Sequence, residues 1–296
     1  MHSSYPKVLH ELAGVPLLGH AIAVAKSLVE KYGGRIRVVT GHGSDQVDPL
    51  VAEYGADVVH QHQQLGTGHA LQIAMEGLGS DGQTLVLYGD VPLITETDIE
   101  PLISAGNTSL AVLTATVSDP TGYGRIVRDP SGDVVAIVED RDASESERTI
   151  CEINSGIYAA PTSLFQELLP LLTNVNSQNE YYLTDCVRLS VSSGRKVSGV
   201  EGAITATMGV NDRSQLAELN QLLQKKRRNT LMTAGVTLID PDTVHLNGTD
   251  IDIQPDTIIE PNVTLNSPVS IGSNVRIGFG SHLTDVVIGE IGRAHV

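Results

Sequence analysis

The carboxyl-terminal part of the chain repeats a six-residue pattern, which restricts the possible folds more than any other feature of the sequence. Aliphatic residues recur six positions apart in two registers, namely Ile253, Ile259, Leu265, Ile271, Ile277 and Leu283, and Val263, Val269 and Val275. Gly272 and Gly278 each follow an isoleucine, where tight corners are needed. This period predicts a parallel β-helix of about two coils, in which each coil stacks its apolar corner on the next. An ordinary β-sandwich with accidental spacing is the alternative.

The preceding residues follow a different pattern, in which short apolar runs alternate with amphipathic stretches up to about residue 211. This alternation is typical of βα units around a parallel sheet. The predicted strands are 36–40, 58–61, 84–88, 110–117, 134–138 and 153–158. The predicted helices are 16–32, 68–78, 95–105 and 163–172, followed by a long helix over 212–233.

Composition and charge exclude several classes of protein. The 296 residues carry a formal net charge of −16, which argues against general affinity for nucleic acid or anionic lipid. The basic run 225–228 is therefore interpreted as a solvated helix face. The two cysteines, Cys151 and Cys186, form no disulfide framework. Since the sequence has neither a long apolar run nor a secretory signal, we expect a cytoplasmic protein.

A glycine-rich loop and a lone aspartate suggest where the chemistry lies. The loop occupies residues 61–70 and opens a predicted helix, where backbone N–H groups can approach a base or a phosphate closely. Asp90 follows the apolar run 85–88, and carboxylate oxygens at the end of a buried strand suit Mg²⁺. Together they predict a nucleotide-plus-metal site. A plain helix-start turn and a strand-end cap remain the alternatives.

Eight motifs occur in the same order as in one known family. They are Pro6-Lys7-Val8-Leu9-His10, Gln64-Leu65-Gly66-Thr67-Gly68-His69-Ala70, Tyr88-Gly89-Asp90, Asp119-Pro120-Thr121-Gly122-Tyr123-Gly124-Arg125-Ile126, Ile137-Val138-Glu139, Glu152-Ile153-Asn154-Ser155-Gly156, Asn179-Glu180-Tyr181-Tyr182-Leu183-Thr184-Asp185 and Gly209-Val210-Asn211-Asp212-Arg213. In this ordered set the chain resembles the bacterial bifunctional N-acetylglucosamine-1-phosphate uridyltransferase and glucosamine-1-phosphate N-acetyltransferase family.

The resemblance implies an α/β fold, a Rossmann-like nucleotidyltransferase domain followed by the start of a left-handed parallel β-helix. We expect the nucleotidyltransferase domain over 1–211, a linker helix over 212–236 and the first β-helix coils over 237–290. The first strand and most of the phosphate loop of the family are expected to be missing, and most of the β-helix as well. Residues 291–296 break the repeat, and we expect them to be an artefact translated from a sequencing adapter.

The implied reaction is that of UTP with N-acetylglucosamine 1-phosphate, giving UDP-N-acetylglucosamine and pyrophosphate for cell-wall precursor synthesis. Mg²⁺ is the implied cofactor, with Asp90 and Asn211 as its ligands. Lys7 is expected to face the phosphates as a point charge, although a solvated lysine is the alternative. Lys7 and Asp90 are the residues assigned to catalysis. Gln61, Gly66 and Thr67 resemble the uracil contacts of the family. We expect the neighbouring Tyr88 and Gly89 to line the same wall.

The sugar contacts implied by the resemblance are Gly124, Glu139 and Asn154, with Tyr182 and Thr184 added to the same pocket. A carboxylate and an amide recognise hydroxyl and acetamide groups through directional hydrogen bonds. A surface glutamate and a strand-edge asparagine are the alternative. For Asn211 the alternative is an N-cap of the helix that follows.

Two other functions stay open. The chain could be a nucleotidyltransferase for another hexose 1-phosphate, or an inactive fragment whose parent protein also carries the acetyltransferase activity. The resemblance further implies that the parent protein forms a homotrimer through its β-helix. No nucleic acid and no membrane insertion are expected.

Overall fold

A computed structural model describes residues 1, 3–290 and, for the backbone only, 293–294. The chain forms two compact units, which we name by their architecture. The α/β unit comprises Ser4–Val8 and Leu18–Gly209. The β-helix unit comprises Met1–Ser3, Leu9–Leu17 and the chain from Val210 onward. Within the described residues, no helix combines the length and the apolar character needed to cross a membrane.

The helices are α1 Leu17–Tyr32, α2 Ser44–Glu53, α3 Thr67–Met75, α4 Glu96–Ala105, α5 Glu145–Arg148, α6 Thr162–Leu168, α7 Asp185–Ser192 and α8 Arg213–Thr233. Up to residue 201 the strands are β1 Glu11–Leu12, β2 Val15–Pro16, β3 Arg37–Thr40, β4 Asp57–His60, β5 Gln83–Val86, β6 Leu110–Thr116, β7 Arg125–Arg128, β8 Val134–Val138, β9 Glu152–Pro161 and β10 Val197–Glu201. The remaining strands are β11 Thr237–Leu238, β12 His245–Asn247, β13 Ile251–Ile253, β14 Ile258–Ile259, β15 Thr264–Ile271, β16 Arg276–Ile277, β17 His282–Ile288 and β18 Arg293–Ala294. Short 3₁₀ turns occupy Lys7–Leu9, Leu169–Leu171, Ile204–Thr207 and Pro241–Thr243.

The main sheet of the α/β unit is mixed, whereas the alternating pattern predicted a parallel sheet. Its strand order is β10-β6-β9-β7-β8, and β5 also pairs with β9. Strand β10 runs parallel to β6, while β9 is antiparallel to β5, β6 and β7. A turn of five residues containing Gly132 (φ 88°) joins β7 to β8. So short a connection permits only an antiparallel pair, because parallel neighbours need a crossover of a dozen or more residues.

Both faces of this sheet are covered by apolar side chains. On β6, Leu110 and Val112 point into one core cluster, whereas Ala111 and Leu113 point into the other. This alternation follows from the two-residue period of a strand. Phe165 of α6 belongs to the first cluster and Ile99 of α4 to the second, and both are fully buried. The sheet is therefore sandwiched between helices.

The β-helix unit confirms the prediction made from the six-residue repeat. Parallel pairs join residues 18 positions apart, three repeats in each coil, as in Ile253 with Ile271, Ile259 with Ile277 and Leu265 with Leu283. Their side chains share one core. At the corners Asp256, Asn262 and Asn274 adopt positive φ values of 64°, 60° and 59°. Short polar side chains tolerate this left-handed conformation better than other side chains do.

From the net charge, the basic run 225–228 on α8 is interpreted as a solvated helix face. This interpretation is correct for the first two residues and wrong for the last two. Lys225 and Lys226 are exposed, but Arg228 is buried, and its guanidinium donates to the carbonyl of Val244 and to Asp242. Arg227 donates to the carbonyl of Leu246 at 2.6 Å. These arginines satisfy carbonyl groups at the first coil, so they hold α8 against the β-helix.

Two further predictions from the sequence concern the start of α8 and the end of the chain. Asp212, and not Asn211, caps the helix, since its Oδ1 accepts from the backbone N–H of Gln215 at 2.8 Å. The tail assigned to 291–296 lies outside the described residues, apart from the backbone of Arg293–Ala294, which pairs with β16. The helix α8 groups with the β-helix coils in one compact unit.

Candidate functional site

Lys7 and Asp90, both predicted as catalytic, form an ion pair in the α/β unit. Lys7 begins a 3₁₀ turn, and Asp90 follows the end of β5. The Nζ atom of Lys7 lies 2.5 Å from Oδ2 of Asp90. The side chains are 38% and 19% exposed, so a ligand can reach both groups. The structure therefore brings a cation and a carboxylate together beyond the carboxyl end of β5.

The glycine-rich loop enters α3 through a conformation that only glycine adopts readily. Gly66 has φ 104° and ψ 177° and immediately precedes the first residue of α3. A Cβ atom built on Gly66 would lie 2.7 Å from the carbonyl oxygen of Tyr181. The N–H of Tyr181 donates to Leu65, and the N–H of Gly68 donates back to Tyr181. The close approach that requires glycine here is made by the chain's own residues 180–181.

The polar groups predicted to read uracil already have partners within the chain. The Nε2 atom of Gln61 donates to the carbonyl of Gly66 at 3.1 Å and lies 3.0 Å from Nδ1 of His69. The Thr67 hydroxyl accepts from the N–H of Leu183 at 3.2 Å. Exposed Gln64, which was not among the predicted residues, donates to the carbonyl of Gln61. Because Gln64 lies three residues after Gln61 in the same loop, the sequence could have indicated that the two side chains are neighbours.

Three predicted sugar contacts lie together at the ends of neighbouring strands. A Cβ atom built on Gly124 would lie 3.6 Å from Oε2 of Glu139 and 3.6 Å from Cβ of Asn154. Gly124, Glu139 and Asn154 come from the ends of β7, β8 and β9. Asn154 begins a bulge in β9 and accepts the N–H of Gly156 on its Oδ1 at 2.9 Å. Bulges of this kind often aim side chains into binding sites.

Thr184 and Tyr182 are added to this group by the segment before α7. The Thr184 hydroxyl donates to Oε1 of Glu139 at 3.2 Å, and Thr184 itself is 5% exposed. The hydroxyl oxygen of Tyr182 accepts from Nε2 of Gln178 at 2.9 Å. Thr184 therefore orients the carboxylate of Glu139, while the phenol of Tyr182 is directed toward Gln178.

The electrostatics of these groups follow from burial. Burial raises the pKa of the Glu139 carboxyl, and the nearby carboxylates of Asp142, Asp185 and Asp140 add to the effect. The hydrogen bond from Thr184 opposes this rise. Burial also raises the pKa of the Tyr88 hydroxyl to about 12, so this phenol stays protonated and able to donate.

Tyr88 connects the predicted subsites with one another. Its hydroxyl lies close enough to the side chain of Thr67 in the glycine-rich loop for Thr67 to lower its pKa against the larger effect of burial. Its ring packs on the bulge of β9, where a Cβ atom on Gly156 would lie 2.7 Å from the ring atom Cε2. Asp90, two residues further on, pairs with Lys7. Tyr88-Gly89-Asp90 thus contacts the loop, the bulge beside Asn154 and the cation.

Within the described residues, a metal ion near Asp90 finds few acidic or nitrogen donors from the protein. Among the described residues, no three His, Cys, Asp or Glu side chains cluster as a metal cage would require. Mg²⁺ keeps several waters and is usually held by one or two carboxylates together with substrate phosphates. Asp90, partly exposed beside Gly209, offers one such carboxylate.

Asn211, predicted as the second ligand, belongs to the β-helix unit. There its backbone N–H donates to Oε1 of Gln215 at 2.7 Å, and its carbonyl accepts from the amino terminus of Met1 at 3.1 Å. Its role at a metal ion stays a prediction.

Comparison with known proteins agrees with both units. The family model of the MobA-like NTP transferase domain matches residues 1–234, and that of the bacterial transferase hexapeptide (six repeats) matches residues 250–285. A solved structure, UDP-glucose pyrophosphorylase complexed with UDP-glucose, superposes with a TM-score of 0.57 at 17% identity. It covers 75% of this chain and 91% of that one, and it supports the α/β fold.

Several curated relatives are much more similar in sequence. The bifunctional protein GlmU of Acinetobacter baumannii (strain ACICU) is 44% identical over 290 residues, 97% of this chain and 63% of that protein. That of Cupriavidus pinatubonensis is 45% identical over 94% of this chain and 62% of its own length. The one from Dechloromonas aromatica (strain RCB) is 42% identical over 99% of this chain and 68% of its own length. The chain thus spans somewhat less than two thirds of the first two relatives, and it belongs to the bifunctional GlmU family, with a MobA-like NTP transferase domain followed by hexapeptide repeats.

Proposed function

We propose that the α/β unit transfers UMP from UTP to N-acetylglucosamine 1-phosphate and releases pyrophosphate. The observation that carries this proposal is the set of contacts made by Tyr88-Gly89-Asp90. This tripeptide adjoins the glycine-rich loop at Thr67, the β9 bulge at Gly156 and the cation of Lys7. The uracil and the triphosphate of UTP, and the sugar of the second substrate, could therefore meet around this one short segment.

The chemistry requires positioning more than proton transfer. A phosphate oxygen of the sugar phosphate attacks the α-phosphorus of UTP, and the bond from that phosphorus to the bridging oxygen breaks, so pyrophosphate leaves. Because the attacking oxygen is already anionic at neutral pH, no general base is needed. Catalysis then depends on in-line alignment and on neutralising the phosphate charges.

Lys7 and Asp90 would divide the charge neutralisation between them. Lys7 supplies a point charge for the phosphate oxygens. Asp90 would hold Mg²⁺, which when bound supplies further positive charge to the triphosphate. For this the ion pair between Asp90 and Lys7 has to open, and the freed ammonium can turn to the phosphates.

Specificity for the acetamido sugar is assigned to Glu139 and Asn154. Both lie against Gly124, where the lack of a side chain leaves room for a ring. The Glu139 carboxylate is oriented by Thr184 and can accept hydrogen bonds from sugar hydroxyls. A sugar that leaves such a half-buried carboxylate unpaired loses binding free energy.

The proposal is tested by titration calorimetry of UDP-N-acetylglucosamine with Mg²⁺, together with an assay of pyrophosphate release. We expect the purified chain to bind this product more tightly than UDP-glucose, which lacks the acetamide. Glu139→Gln should weaken binding of both UDP-sugars, whereas Glu145→Gln, at an exposed position of α5, should not.

The outcomes separate the open alternatives. Binding with pyrophosphate release supports the enzyme, and binding without release supports a chain that retains the site but not the activity. A preference for UDP-glucose would favour a transferase for another hexose 1-phosphate. Absence of binding to either UDP-sugar would contradict the proposal.

We also propose a cellular location and an assembly. The thiols of Cys151 and Cys186 are both free, which agrees with a reducing compartment such as the cytoplasm. Assembly of the parent protein as a homotrimer through its β-helix stays a prediction from the family.

A further inference from the structure

A cavity of about 510 Å³ lies beside the predicted sugar contacts but is lined by other residues. Its walls are formed by Pro120, Thr121, Arg125, Asp140, Arg141 and Arg148. Three of these six residues are arginines, and a single carboxylate faces them. The cavity is therefore cationic, although the whole chain carries a net charge of −16.

Two of the three guanidinium groups are not balanced by a carboxylate. None of the ion pairs found between residues 3 and 290 involves Arg141 or Arg148. Arg141 donates to the side-chain oxygen of Gln178 at 2.9 Å, and Arg148 lies 3.5 Å from the carbonyl oxygen of Asp140. Both side chains are exposed, so each can turn toward an anion in the cavity.

The third guanidinium, that of Arg125, is buried and only partly satisfied. Arg125 is 2% exposed and donates from Nη2 to Oδ1 of Asp140 at 2.9 Å and from Nη1 to the carbonyl of Tyr123. Its Nε–H has no partner among the described residues. A guanidinium carries five N–H donors, and the hydrogen bonds to Asp140 and Tyr123 use two of them.

We propose that this cavity binds a phosphate dianion, either inorganic phosphate or a phosphomonoester, at a site distinct from Lys7 and Asp90. Arginine forks match the oxygens of phosphate through paired, charge-assisted hydrogen bonds. An uncompensated cluster of like charges is unfavourable without a counterion, and a phosphate dianion offsets the charge of Arg141 and Arg148. The ligand class follows from the donor set, since guanidinium groups only donate.

Two residues that line the cavity are direct sequence neighbours of predicted sugar contacts. Arg125 follows Gly124, and Asp140 follows Glu139. A phosphate dianion that competes with Asp140 for Arg125 would loosen the clasp between the ends of β7 and β8. If the proposed function holds, phosphate in the cavity changes the KM for the sugar phosphate more than that for UTP.

The test is designed to be independent of the catalytic reaction. Inorganic phosphate is titrated calorimetrically, at constant ionic strength in chloride, into a Lys7→Ala variant, because Lys7 is the other cation expected to meet phosphate. We expect about one phosphate to bind to each chain. Adding Arg148→Ala or Arg141→Ala should weaken binding at least tenfold. Adding Arg195→Ala, which removes an exposed arginine paired with Glu167, should change nothing.

A parallel titration with a hexose 6-phosphate distinguishes the two sources of the dianion. Tighter binding of the ester supports the site and identifies a phosphorylated metabolite as its ligand, while equal affinity supports it with free phosphate. Circular dichroism checks that each variant is folded, which we expect because Arg141 and Arg148 are exposed. The proposal is overturned if the Lys7→Ala chain binds no phosphate, or if its binding survives loss of Arg141 and Arg148 unchanged.

Discussion

The ammonium group of Lys7 lies 2.5 Å from a carboxylate oxygen of Asp90, across 83 positions of sequence. In this pair each group neutralises the charge of the other. A divalent cation at Asp90 would displace the ammonium group, which then becomes available to the phosphates of the nucleotide. The pair thus links the binding of a metal ion to the exposure of a phosphate-binding cation.

Asp90→Asn should reduce turnover by about 10²–10³-fold or more, since it removes a charge that is preoriented for the transition state. The fold should be retained, because Asp90 lies at the edge of the site and is not fully buried. The measurement is the rate of pyrophosphate release as a function of Mg²⁺ concentration. Asp81→Asn, at an exposed position before β5, is the matched control. Mg²⁺-dependent rates equal to those of the wild type would exclude the assigned role.

Glu139→Gln should stabilise the protein at neutral pH. Burial raises the pKa of Glu139 in the folded state, so the folded chain binds more protons than the unfolded chain above the ordinary value of 4.5. The free energy of unfolding of the wild type therefore falls as pH rises from 4.5 through the folded-state pKa. Thermal melts from pH 3 to pH 8 should show the gain of the variant disappearing at acid pH. A gain that is independent of pH would refute this explanation.

Thr184→Val should weaken binding of the sugar phosphate. The change keeps the shape of the side chain but removes the hydroxyl that donates to Glu139 at 3.2 Å. Loss of one hydrogen bond to a charged group costs about 1.5–3 kcal/mol, so the KM for N-acetylglucosamine 1-phosphate should rise by about tenfold or more. Thr184→Ser restores the donor and should restore the KM. Equal KM values for the valine and serine variants would show that the hydroxyl is not used.

Gly66→Ala should destabilise the glycine-rich loop and weaken binding of UTP. The backbone angles of Gly66 are nearly inaccessible to alanine, and the new Cβ atom would approach the carbonyl oxygen of Tyr181 to 2.7 Å. Strain and overpacking together cost about 2–5 kcal/mol. The measurements are chemical denaturation and the KM for UTP.

Gly55→Ala is the control for this prediction. Gly55 also has a positive φ, of 71°, but no atom lies within 4 Å of a Cβ built there. It should cost only the strain of the left-handed region, about 1–2 kcal/mol, and leave the KM for UTP unchanged. If both variants behave alike, the contact between Gly66 and Tyr181 is not what constrains the loop.

Local periodicity explains why much of the fold could be predicted from the sequence. The apolar pattern of α1 repeats over its own turns, and that of β8 is contained in its five residues. The bounds of both elements could therefore be predicted closely. The hexapeptide repeat is stronger still, because each coil repeats the interactions of the coil before it. By contrast α2, with Pro49 inside it and only two buried residues, has little periodic signal and was missed.

Non-local pairing explains what the sequence could not indicate. The antiparallel placement of β9 depends on which strands lie beside it, and no residue within β9 carries that information. For the candidate site, the family resemblance implied that Gly124, Glu139 and Asn154 form one group, and the structure brings them together. The Thr67 hydroxyl accepts from Leu183, 116 positions away, and no local pattern indicates that contact. Gln61, by contrast, donates within the loop to the carbonyl of Gly66.

The most direct test of the account is a crystal soaked with UDP-N-acetylglucosamine and Mn²⁺, measured for anomalous scattering. We expect a peak at coordination distance from the carboxylate of Asp90, with Lys7 turned away from Asp90 toward the diphosphate. The same soak of Asp90→Asn should show no peak there. A metal peak remote from Asp90, or a diphosphate bound away from Lys7, would contradict the central claim.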